Sequence, residues 1–157
     1  MIAPTAIIRG VGKTFGMEFL DDVEGMTGYY DSNLEGKTMR AAREIIENTG
    51  NYDFGFVHIK AVDDAGHDKN RDIKVEQIEK CDRALRKMID MLGQHYATSE
   101  DNTDVILCVT GDHTTPVRYG DHTYEPVPIA FGTIRTLYED LQAEKAPTVR
   151  FDEVDCG

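Results

Sequence analysis

The stretch VILCVTGDHTTPVRYGDHT, Val105 to Thr123, decides how the chain is read. It opens on an apolar run, Val105 to Val109, that is apolar at both odd and even positions. Such a run, closed by Thr110 and Gly111, reads as a strand buried on two faces. The tetrapeptide Gly-Asp-His-Thr follows directly and returns nine residues later, at Gly120 to Thr123. A related run, AGHD, lies upstream at Ala65 to Asp68. Three of the five histidines therefore sit beside aspartates in short glycine-bearing segments. The echo is too short to be a domain-scale repeat.

Working outward, strands and helices alternate. Pro4 to Phe15 reads as a short helix with proline near its first turn, and Met17 to Leu20 as a brief strand. GMTGYYDSN, Gly25 to Asn33, is dense in turn formers. Ser32 or Asn33 can cap a helix from Leu34 to about Asn48, whose apolar face carries Leu34, Met39, Ala42, Ile45 and Ile46. YDFGFVHIKAV, Tyr52 to Val62, reads as a second buried strand, followed by a loop that holds Asp63 and His67. A long amphipathic helix is expected from Asp72 to about His95, with Val75, Ile78, Leu85, Ile89 and Leu92 along one stripe. PVPIAFGT, Pro126 to Thr133, reads as another strand, Ile134 to Gln142 as a short helix, and TVRFDEV, Thr148 to Val154, as a last strand. The pattern implies one α/β domain over residues 1–157, built on a mainly parallel sheet.

In open parallel sheets, ligands bind at the carboxyl ends of the strands. Asp63 with His67 and Asp112 with His113 fall just beyond strand ends, and Asp121 with His122 lies in the loop just before the strand that starts near Val127. Carboxylates and imidazoles together suit Zn²⁺, Mn²⁺ and similar first-row divalent ions. His58, within a strand, reads as a packed core residue. His95 ends the long helix, where a cation suits the helix dipole. DDAGHDKNRD is not an EF-hand loop, because its glycine and closing acid are misplaced. RGVGKTFG is not a phosphate-binding loop either: the position that needs the first glycine is Ile7.

Composition narrows the function classes. The formal net charge of -12 opposes general binding to nucleic acid or to an anionic membrane surface. It leaves room for a small anionic substrate at a local positive site, such as a bound cation. No apolar run reaches the roughly 18 residues of a membrane span. The first residues lack the features of a signal peptide. Three irregularly spaced cysteines, with no CxxC pair, suit a reducing, cytoplasmic setting.

HIKAVDDAGHD, VTGDHTTP and GDHTYEPVPI, together with TAIIRGVGKTFGM and GMTGYYDSNLEGK, resemble the second half of cofactor-independent phosphoglycerate mutases of the archaeal type, in the alkaline phosphatase superfamily. The resemblance implies an alkaline-phosphatase-like three-layer α/β sandwich. It implies that Asp63, His67 and His122 hold one divalent ion and that Asp112 and His113 contribute to a second. Two such ions are implied, Mn²⁺ first and Mg²⁺, Zn²⁺ or Co²⁺ as alternatives, with no need for 2,3-bisphosphoglycerate. The implied reaction interconverts 3-phosphoglycerate and 2-phosphoglycerate through a phosphoenzyme, on a small phosphorylated carboxylate. Lys60, Arg9, Lys13 and Arg118 are the candidate substrate-binding cations. The family's nucleophile and a further ligating aspartate come from its N-terminal part. The expectation is thus a C-terminal portion with the N-terminal half and the extreme C-terminus absent, an incomplete sheet, and little activity alone. A different phosphatase, sulfatase or phosphopentomutase of the superfamily, or a non-catalytic metal-binding module, would share the metal residues.

Overall fold

The structure is a computed structural model, and it describes residues 1–99 and 103–143. The elements, in order, are α1 (Ala6–Thr14), α2 (Leu34–Glu47), α3 (Ala61–His67), α4 (Arg71–Thr98), β1 (Ile106–Thr110), β2 (Ile129–Thr133) and α5 (Ile134–Gln142). The strand expected at Thr148 to Val154 lies outside the described residues.

Helices α2, α4 and α5 close around one core, in which Ala42, Met88, Leu92, Tyr96 and Ile134 are buried. Ile45, Ile46, Leu85, Ile89 and, from the strand layer, Val105 and Leu107 pack against it. Asn33 caps α2 by accepting a hydrogen bond from the Gly36 N–H at 2.7 Å. The long stripe of α4 holds only in its C-terminal half. Near the start of α4, Val75 and Ile78 face solvent and Gln77 is buried. The neighbours there are polar: Gln77 Nε2 donates to the Tyr30 carbonyl at 3.2 Å, and Lys74 Nζ donates to the Thr115 carbonyl at 2.6 Å. A side chain that can donate is worth more at such a wall than an apolar one.

The sheet differs from the expected mainly parallel one. Among the described residues it has two strands, β1 and β2, paired antiparallel with Cys108 opposite Phe131. Parallel pairing survives as a single bridge between Ile2 and Val57. There the Ile2 N–H donates to the Phe56 carbonyl at 2.8 Å and the His58 N–H to the Ile2 carbonyl at 2.9 Å. The next donor along that ladder would be residue 4, and Pro4 has no N–H to give. Tyr52 to Val62 is consequently not a strand over its length, and its last two residues already belong to α3. Met17 to Leu20 is not a strand either; it is tied down by single bonds, such as that from the Leu20 N–H to the Met1 carbonyl at 3.0 Å.

Apolar residues in β1 and β2 are not buried on both faces. Ile106, Ile129 and Phe131 are exposed, as is Cys108, while Leu107 and Val109 point inward. Ile7 and Val11 of α1, with Phe15 at its C-cap, form a second exposed stripe.

The close approach of α4 and α5 is testable. A Cβ added at Gly93 of α4 would stand 2.2 Å from Tyr138 Cγ and 2.5 Å from Tyr138 Cβ on α5. Alanine gains about 1 kcal/mol of helix propensity over glycine. The overlap falls on the root of a ring that cannot swing clear, and overpacking costs about 1–3 kcal/mol. Gly93→Ala is expected to lower stability in urea denaturation, despite the better helix former.

Candidate metal centre

Asp63 and His67 sit on α3, not in a loop. Ala61 and Ala65 favour helix, and Asp63 and Asp64 lie in its first turn, where negative charge suits the dipole. Asp-x-x-x-His is therefore an i, i+4 pair on one helix face. His67 Nε2 lies 3.4 Å from Asp63 Oδ1. Lys69 follows in the left-handed region, with φ 54. Its N–H reaches the Gly66 carbonyl and that of Asn70 reaches the Ala65 carbonyl, a Schellman ending that turns the chain at once into α4.

The two GDHT copies pair with each other. Thr114 and Thr123 form an isolated antiparallel bridge, with the Thr123 N–H donating to the Thr114 carbonyl at 3.1 Å and the two hydroxyls 2.7 Å apart. The histidine before each threonine is carried along. The rings of His113 and His122 lie 3.5 Å apart between centroids.

His122 completes a triangle with α3. Its Nε2 stands 3.0 Å from His67 Nε2 and 3.7 Å from Asp63 Oδ1. Ligands at about 2.0–2.2 Å from a tetrahedral ion are about 3.3–3.6 Å from one another, so one carboxylate oxygen and two imidazole nitrogens at these spacings fit a divalent ion. The outer bonds fit as well. His67 Nδ1 lies 3.1 Å from the Gly120 carbonyl, which can only accept. The proton is therefore on Nδ1, and the Nε2 lone pair faces inward. Asp63, His113 and His122 also bring one ligand atom each within 4.8 Å of one another, as do His67, Asp121 and His122. Asp112 Oδ2 is 3.4 Å from His113 Nε2. Asp63, His67, His113 and His122 are thus gathered in one place, and Asp112 reaches them through His113 from a more exposed position. Asp121 adjoins them, a position whose signal was its Asp-His adjacency.

Asp63 is held ionised. Burial disfavours its charge, but hydrogen bonds from Lys60 and Thr115 outweigh that and bring its carboxyl down to about 2. Lys60 Nζ donates to Asp63 Oδ2 at 2.8 Å and to Asp64 Oδ1 at 2.7 Å. The other candidate cations lie differently. Arg9 makes a two-pronged ion pair with Asp21 and covers the Phe19 ring at 4.5 Å. Lys13 is exposed in the last turn of α1. Arg118 is exposed between the two GDHT copies, 5.8 Å from the Tyr119 ring centroid.

His58 is not simply core. It is half-buried, with a buried Nδ1 that has no hydrogen-bond partner among the described residues. Burial lowers its pKa first, and the charges of Asp112, Lys37, Lys60 and Asp63 then act on it. Thr115, whose hydroxyl the sequence left without a role, is buried and bonded to Asp63 Oδ1 at 2.6 Å.

A cluster of carboxylates and imidazoles carried on an α/β scaffold is the hallmark of a metal-dependent enzyme class. The chain belongs to the metalloenzyme superfamily: residues 1–147 match the model of that family. Its relatives include 2,3-bisphosphoglycerate-independent phosphoglycerate mutases. That of Pyrococcus furiosus is 35% identical over 146 residues, covering 92% of this chain and 32% of the relative. That of Methanopyrus kandleri is 34% identical over 157 residues, covering 100% of this chain and 33% of the relative. The solved structure of the PH0037 protein from Pyrococcus horikoshii is 33% identical and superposes with a TM-score of 0.68, covering 83% of this chain and 31% of that one. The chain spans about a third of the length of these proteins.

Asp63 gives the metal-free protein a defined acid response. Its carboxyl is near 2 when folded against an ordinary value of 3.8. A depressed folded pKa adds stability that is present above the unfolded value and is lost as pH falls toward the folded one. Stability is therefore expected to drop between about pH 4 and pH 2. In urea denaturation across that window, Asp63→Asn should lose less than the wild type.

Proposed function

We propose that the chain is the metal-holding portion of a 2,3-bisphosphoglycerate-independent phosphoglycerate mutase. In this reading the intact enzyme works in the cytoplasm and interconverts 3-phosphoglycerate and 2-phosphoglycerate with two divalent ions, Mn²⁺ first. The observation that carries it is the triangle of Asp63 Oδ1, His67 Nε2 and His122 Nε2, with edges of 3.0, 3.4 and 3.7 Å. The similarity to mutases of that type supports the choice of reaction.

Asp63, His67 and His122 would hold one ion, and Asp112 and His113 would contribute to the other. Bound there, the ions would supply the positive field that a phosphoryl group needs in transfer and that this acidic chain otherwise lacks. Lys60 brings a positive charge beside Asp63, and Arg118 offers an exposed guanidinium suited to a phosphate or carboxylate. Arg9 would have to leave Asp21 before it could bind substrate, and Lys13 lies on the same helix. Thr114, Thr115 and Thr123 do not occupy the position of the family's nucleophile, so in this reading the phosphoryl acceptor of a phosphoenzyme lies outside this chain. The described residues then form part of a larger three-layer sandwich with a mainly parallel sheet, to which the Ile2–Val57 bridge belongs.

Two measurements test this. In metal analysis of the 157-residue chain after Mn²⁺ loading, His67→Ala and His122→Ala are each expected to lose one equivalent; unchanged stoichiometry in both removes the first ion. In a coupled assay with 3-phosphoglycerate and Mn²⁺, this chain alone is expected to turn over at least about 10³-fold more slowly than a full-length enzyme that supplies the nucleophile. Strong turnover by the chain alone would sink the divided-site reading.

A further inference from the structure

Thr115 occupies an unusual position at this cluster. It is 4% exposed. Its hydroxyl is 2.6 Å from Asp63 Oδ1 and 3.3 Å from His113 Nδ1. Asp63 Oδ1 is the same oxygen that faces His67 and His122. One hydroxyl therefore touches a candidate ligand of each proposed ion.

The backbone holds Thr115 firmly. Its carbonyl accepts from Lys74 Nζ at 2.6 Å. The same carbonyl passes so close to α3 that a Cβ at Gly66 would stand 2.3 Å from it. Pro116 follows and restricts the Thr115 backbone in its turn. The hydroxyl is thus anchored to both α3 and α4, not to a loose loop.

Its single proton has only one place to go. An ionised carboxylate accepts and cannot donate, so the O–H is given to Asp63. Toward His113 the oxygen can then only accept, and the proton between them must be on Nδ1 of the ring. In the neutral ring Nε2 of His113 then keeps its lone pair, against the Asp112 carboxylate, whose Oδ2 stands 3.4 Å away and would accept a proton there. We propose that Thr115 is a positioning residue: its hydroxyl fixes the Nδ1–H tautomer of His113 and the orientation of Asp63, presenting Nε2 and Oδ1 as ligand atoms for two neighbouring cations. This rests on the metal-centre reading above. It adds a residue that ties the two halves of the centre together, so that loss of one hydroxyl loosens both.

The test uses the full chain and three forms of it: wild type, Thr115→Val and Thr115→Ser. Long-range proton–nitrogen spectra of the metal-free proteins, at a pH where the ring is neutral, report which nitrogen of His113 is protonated. The wild type and Thr115→Ser are expected to show Nδ1–H; Thr115→Val is expected to move toward Nε2–H. Titration with Mn²⁺ is expected to show affinity about 10–100-fold weaker in Thr115→Val, the usual effect of losing an outer-shell partner, and recovered in Thr115→Ser. A general loss of packing would not switch one ring's tautomer and be reversed by serine. The same tautomer in wild type and Thr115→Val, or equal Mn²⁺ affinity in the two, overturns the proposal. A wild-type chain that takes up no Mn²⁺ overturns the metal-centre reading instead, and with it any role of Thr115 toward metal.

Discussion

The charge on Asp63 is the constraint on which the rest of the centre depends. A partly buried carboxylate is unfavourable unless donors surround it. Here Lys60 and Thr115 supply them from opposite sides, one to each oxygen. The α3 dipole adds to this, since Asp63 lies in the first turn. With the charge secured, His67 follows one turn later on the same face, and the paired GDHT segments need only bring His122 across to close the triangle. Remove the charge and two imidazole nitrogens 3.0 Å apart have no common partner.

The duplicated tetrapeptide is explained by local pairing. Because Thr114 and Thr123 oppose each other, equivalent residues of the two copies become neighbours in space. Two ligand-bearing histidines are then set by one short bridge and not by two distant strands. The turn between the copies is closed by the Tyr119 and Gly120 N–H groups, both donating to the Pro116 carbonyl. Gly120 also offers its own carbonyl to His67, so this turn positions ligands on both sides.

Helical periodicity made α2, the C-terminal half of α4 and α5 legible, because their apolar spacing meets one shared core. The Asp-His adjacencies likewise marked where a cation could be held. What escaped had tertiary causes. Tyr52 to Val62 looked like a strand because its composition suits one, yet a strand needs a continuous ladder, and Pro4 interrupts it. The strand signal of Tyr52 to Val62 runs over Ala61 and Val62 and leaves Asp63 to His67 as a loop, although the alanines and early acids of α3 suit a helix. Gln77 replaced Ile78 at the interior because the facing wall is made of carbonyl groups. The direction of β1 and β2 depends on a partner that no single segment names. Thr115 could not be singled out among the threonines, since a hydroxyl's role is set by the two residues it lands between.

The uncovered side of the β1–β2 sheet has a practical chemical consequence. Cys108 stands on that side, exposed and directly opposite Phe131. Cys81 is half-buried on α4, and burial pushes its thiol up to about 11. Only the thiolate reacts with alkylating reagents. Among the described residues, then, a maleimide dye added near neutral pH would settle on Cys108 and leave Cys81 untouched. The molecule carries a ready attachment point for a fluorophore, placed where any covering of the bare sheet would change its emission.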